Sequence, residues 1–132
     1  MTNKKLIDET VEIVVENLNS QMMLFGVERV TELPSRYYDK YSLGYIVGML
    51  WIVLKTYGID DIDNLKLAIK KAFKKIFGIQ AFFLRREVNR SMLDDDMIFN
   101  SGRNKGLSEM NKFINGDVRI ISGWISYAKN IK

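Results

Sequence analysis

Residues Leu43 to Leu54 read LGYIVGMLWIVL, twelve residues without a charge. Apart from Gly44 and Gly48, one helical turn apart, all are large and apolar. A surface helix carries one apolar stripe, whereas a helix that is apolar all round is covered on several sides. The stretch therefore predicts a central helix. It is too short to cross a bilayer, which takes about 20 apolar residues. Upstream, Pro34 and Ser35 carry the marks of a helix start. Downstream, Gly58 suits a left-handed terminating position. The predicted helix covers about 36–57, and Gly44 and Gly48 offer a small face for close approach of a second helix.

The same period runs outward from it. Ile7, Val11, Val14, Leu18, Met22 and Phe25 recur every three or four residues, with Asp8, Glu9, Glu12 and Glu16 elsewhere. This spacing predicts an amphipathic helix from Asn3 to about Leu24, with Thr2 or Asn3 as its cap. Four of these residues (Ile7, Val11, Val14, Leu18) also approximate two heptads, which raises a homodimer seam through this first helix as an expectation. Gly26 to Pro34 reads as a loop. Asp60 or Asp61 caps a third helix ended by Gly78, and a fourth runs from Ile79 to about Leu93. Asp94 to Asp96 cap a short helix to Phe99, Ser101–Gly106 reads as a loop, and Leu107–Ile114 is helical. Asn115-Gly116 is a break that also fits a hairpin turn. The helical spacing of Ile121, Trp124, Ile125 and Ala128 instead favours a last helix from Asp117 to about Asn130. Residues 1–132 are thus expected to form a single compact all-α domain of five to six helices.

Composition narrows the chemistry. With 132 residues and 47% hydrophobic content, the chain can build a core without a metal or disulfide staple. It has no cysteine and no histidine. Disulfides, thiolate chemistry, Ser-His-Asp catalysis and most zinc or iron sites are excluded. The N-terminus lacks the apolar run of a secretory signal, so a cytoplasmic location is expected, with no cofactor.

Charge is the strongest functional signal. Residues 66–90 hold eight basic side chains and one acidic, a net of +7, while the remaining 12 basic and 15 acidic residues net −3. On a helix of about 100° per residue, Lys66, Lys70, Lys74, Lys71 and Lys75 fall within roughly 180° of arc, and Leu65, Ile69, Ala72, Phe73 and Ile76 occupy the other half. Arg85, Arg86 and Arg90 follow on the fourth helix, whose apolar line is Ala81, Leu84, Val88 and Met92. If the two helices form an antiparallel hairpin across Gly78, both basic faces share one surface. No acid interrupts Lys66 to Arg86, whereas a solvated face usually interleaves glutamate. The expectation is a non-catalytic binding protein engaging an anionic partner, DNA or RNA first, with an acidic protein surface or anionic lipid as the other partners of a basic helix.

Three further motifs carry expectations. Tyr37, Tyr41 and Tyr45 lie at successive helical turns with Tyr38 adjacent, and fit core packing better than base stacking or an interface. Asp94-Asp95-Asp96 suits helix capping better than a magnesium site for a phosphodiesterase, because adjacent side chains point apart. Arg103 and Lys105, in the glycine-bracketed Ser101–Gly106 segment, are candidate phosphate contacts. The rival functional class is a small protein-binding inhibitor, adaptor or immunity protein, such as a phage-encoded inhibitor of host defence.

Overall fold

A computed structural model describes residues 3–24, 26 and 37–130. The fold is all-α, with no strand among the described residues. Its elements are α1 (Asn3–Leu24), α2 (Lys40–Thr56), α3 (Ile62–Phe77), a 3-10 turn (Gly78–Gln80), α4 (Ala81–Leu93), α5 (Met97–Ile114) and α6 (Gly123–Ala128). No helix among the described residues is long and apolar enough to cross a membrane.

Aspartates set three of the starts. Asp39, Asp61 and Asp96 sit in extended backbone and accept from the N–H of Ser42, Asn64 and Phe99, which satisfies donors that the first helical turn leaves without partners. The central helix thus begins at Lys40 rather than near residue 36, because Asp39 caps it. Thr2, Phe25 and the segment 27–36, with Pro34 and Ser35, lie outside the described residues. Gly58 (φ 81°) follows α2, and Gly78 (φ 59°) closes α3, as their positions predict.

The core is built on α2, where Leu43 to Leu50, Val53 and Leu54 are buried. From α1, Ile7, Val11, Val14 and Leu18 are each at most 1% exposed. These side chains belong to the continuous core cluster of one chain. The dimer seam expected on the first helix is therefore corrected, since an apolar face already buried within one chain is not free to cover another.

The largest departure from the sequence reading is α5. Ser101–Gly106 is not a loop but the middle of this helix, and its glycines are the reason. A Cβ on Gly102 would lie 2.0 Å from the Tyr41 carbonyl oxygen, and one on Gly106 2.0 Å from that of Tyr45. Reciprocally, a Cβ on Gly44 would meet the Phe99 oxygen at 2.1 Å, and one on Gly48 the Arg103 oxygen at 2.0 Å. The register rises together on both helices, so α2 and α5 run parallel and touch backbone to backbone through two facing Gly-x-x-x-Gly pairs. The close approach that Gly44 and Gly48 predict is present, and its partner is a second such pair.

The last helix is also shorter than expected, Gly123–Ala128 in place of a helix from Asp117. Ser122 supplies no side-chain cap. Side chains from other helices take that role. Glu109 Oε1 accepts from Gly123 N at 2.9 Å, and Gln21 Oε1 accepts from Trp124 N and Ile125 N at 3.1 and 3.2 Å. Gln21 Nε2 donates to the Tyr45 hydroxyl at 3.2 Å, and that hydroxyl donates to Glu109. Trp124 Nε1 donates to Ser42 Oγ at 2.8 Å, and Tyr127 donates to Asp39. Burial, then the bond to Glu109, pushes the Tyr45 hydroxyl well above its ordinary pKa.

Candidate anion-binding surface

The Asp61 cap fixes the phase of α3. It turns Leu65, Ala68, Ile69, Ala72, Phe73, Ile76 and Phe77 into the core and leaves Lys66, Lys70, Lys74 and Lys75 exposed. The chain then reverses through Gly78–Gln80, and α4 returns beside α3. As a result Lys66, Leu67, Ile69 and Lys70 of α3 and Arg85 and Asn89 of α4 line one groove of about 350 Å³. Among the described residues no carboxylate lines it. The shared basic surface expected of a hairpin is therefore formed by three cations from two helices.

The remaining lysines face the other way. Lys71, Lys74 and Lys75 line a second groove of about 460 Å³ with Asp8 and Val11 of α1. Lys71 Nζ sits 2.7 Å from Asp8 Oδ1, and its hydrogen bond holds that carboxyl below the usual range. The basic half of α3 is thus split between a groove beside α4 that no carboxylate of the described residues lines and one beside α1 that Asp8 shares. The described lining of the first holds three cations and that of the second three cations with one carboxylate, so the first lining carries the larger net charge.

On α4, Arg86 is exposed with its guanidinium 5.9 Å from the Phe82 ring centre, and Arg90 makes only a loose 3.9 Å approach to Glu87. The apolar line Ala81, Leu84, Val88, Met92 does face the core. That line does not account for the opposite side, where Ile79, Phe82, Phe83 and Leu93 are exposed, Phe82 by 57% and Phe83 by 69%. Their presence off the apolar line was the available signal.

Other candidates are placed elsewhere. Arg103 and Lys105 lie on α5 and line neither groove. Lys105 is 3.8 Å from Glu109, and the Arg103 backbone packs against Gly44 and Gly48. Tyr37 and Tyr38 are buried, with Tyr38 edge-on to Phe77 at 5.0 Å, and Tyr41 stacks on Tyr127 at 4.0 Å. These placements accord with the packing reading of the tyrosines. Asp94 follows α4, Asp95 bonds Asn100, and Asp96 caps α5 while accepting from Lys40. The Phe99 N–H and then Lys40 hold the Asp96 carboxyl below its ordinary range. Among the described residues no cluster of three acids is placed to hold a metal.

No family model matches this chain, no curated protein matches it in sequence, and no solved structure matches it in fold.

Proposed function

We propose that this protein is a non-catalytic, cytoplasmic binding protein whose α3–α4 surface holds the phosphate backbone of a nucleic acid. The observation that supports this reading is the convergence of Lys66, Lys70 and Arg85 on one groove that no carboxylate of the described residues lines. Cations that neutralise phosphates release condensed counterions, so affinity falls with salt and is largely independent of sequence. With Arg86, the next residue along α4, about four charges are available, which predicts a log–log salt slope of about −3 to −4 on duplex DNA.

Titration of labelled DNA and RNA from about 50 to 300 mM salt measures that slope. The triple variant Lys66→Glu, Lys70→Glu, Arg85→Glu is expected to weaken binding at least tenfold at about 50 mM salt, whereas Lys105→Glu changes it by less than about twofold. A flat slope, or no binding at the lowest salt, rejects the reading. A smaller effect of opposite sign is expected at Asp8, where Asp8→Asn releases Lys71 and tightens low-salt binding about twofold, a gain abolished at about 300 mM salt.

The exposed Phe82, Phe83 and Arg86 favour a second reading. Aromatic and arginine side chains are the usual anchors of protein interfaces, so the same face suits an inhibitor, adaptor or immunity protein that docks an acidic partner, for example a phage-encoded inhibitor of host defence. That reading requires no affinity for DNA or RNA, and the same titration separates the two.

A further inference from the structure

We infer that the α3–α4 surface selects single-stranded over duplex nucleic acid, with Phe82 and Phe83 as a stacking platform for unpaired bases. This rests on the phosphate-binding reading above and adds the physical state of the partner. Three observations converge on it.

The first is exposure. Phe82 and Phe83 are more than half exposed, although α4 has a separate apolar line that serves the core. Their rings meet edge to face, with centres 5.7 Å apart and planes at 80°, and each keeps more than half of its surface open.

The second is continuity with the cations. One helical turn separates Phe82 from Arg86 and slightly less separates it from Arg85, which lines the groove. Arg86 also lies over the Phe82 ring at 5.9 Å, a cation–π contact that holds a positive charge against the platform. A strand whose phosphates follow Lys66, Lys70 and Arg85 would need to extend its bases by about one helical turn of α4 to reach Phe82.

The third is what each form of nucleic acid offers an exposed ring. In a duplex the base faces are stacked on one another, and a ring beside the backbone meets sugar and phosphate. An unpaired base has a free π-face, and aromatic stacking beside a basic track is how single strands are held without sequence preference. The charge complementarity accounts for phosphate, and the rings account for the unpaired base.

The test compares a mixed-sequence single strand of about 20 nucleotides with the duplex it forms with its complement, rich enough in G·C pairs to stay paired at about 50 mM salt. Wild-type protein is expected to bind the single strand more tightly. Phe82→Ala/Phe83→Ala is expected to lose about tenfold or more on the single strand, with its duplex affinity and salt slope unchanged. Phe82→Trp is expected to keep or tighten single-strand binding. Both positions are exposed, so thermal melting of the variants should match wild type, and a matched melt assigns any loss to the surface.

Equal losses on both probes, or no loss on the single strand, overturn the inference while salt-dependent binding preserves the phosphate reading. Wild-type protein that binds neither probe overturns both, and leaves the α4 stripe to a protein partner.

Discussion

Gly48→Ala is expected to destabilise the protein by about 2–4 kcal/mol and to lower its melting midpoint by the order of 10 °C. Two effects of opposite sign compete. Alanine is the better helix former by about 1 kcal/mol, so a glycine in an uncrowded helix would gain from the change. Here the new methyl would fall 2.0 Å from the Arg103 carbonyl oxygen and 2.8 Å from the Leu107 nitrogen. Both atoms are backbone, and no flexible side chain is there to move aside. The only relief is to separate α2 from α5, which loosens a tightly packed core along the whole seam. The clash therefore outweighs the propensity, and Gly106→Ala, 2.0 Å from the Tyr45 oxygen, should behave alike. Gly116→Ala is the contrast. It has open space but a φ of 79°, so its cost is only the left-handed strain of about 1 kcal/mol. Chemical denaturation of the three variants measures the ranking. A Gly48→Ala protein as stable as wild type would mean that the two helices do not touch through their backbones.

That seam also marks where sequence reasoning reached its limit. Periodicity sufficed for α1, for the buried half of α2 and for the charge segregation of α3, because each pattern is local and the partner's identity is immaterial to it. The segment Ser101–Gly106 failed for the converse reason. Two glycines with Ser, Asn and charged residues have poor intrinsic helix propensity, and what stabilises the helix there is contact with Tyr41 and Tyr45, some 60 residues earlier. Gly44 and Gly48 announced a close partner without saying which. The candidate site divides the same way. Lys66, Lys70 and Arg85 were legible as charges, and only the reversal at Gly78 shows that they share a groove while Lys71, Lys74 and Lys75 do not. Phe82 and Phe83 were legible in composition, but the apolar line of α4 is adequate for its burial and does not account for them.

The second large effect is expected at Gln21. Helix α6 has six residues, well short of the length at which a helix holds itself in water. Its first three N–H groups are the ones that no helix satisfies internally. Gln21 takes two of them and Glu109 the third, so side chains of α1 and α5 cap α6 from outside. Gln21 is fully buried. Gln21→Leu keeps the volume, removes the acceptor for Trp124 N and Ile125 N, and removes the donor to Tyr45. A buried donor left without a partner costs about 1–3 kcal/mol, and two of them with a disturbed Tyr45–Glu109 bond set the expected loss at about 3 kcal/mol. Glu109→Gln retains an acceptor for Gly123 and Tyr45 and should cost about 1 kcal/mol or less. Because the two residues meet through the Tyr45 hydroxyl, their effects should not add, and a double-mutant cycle should return a coupling of about 0.5 kcal/mol or more. Hydrogen exchange locates the damage: the Trp124 and Ile125 amides should lose protection before those of α2 and α5. Nucleic-acid affinity should stay within about twofold, since neither residue lines the α3–α4 groove and distant sites act independently. Loss of binding in a Gln21→Leu protein whose α2 and α5 amides remain protected would show that the groove depends on the α6 end of the core, and the independence of binding surface and polar network would have to be given up.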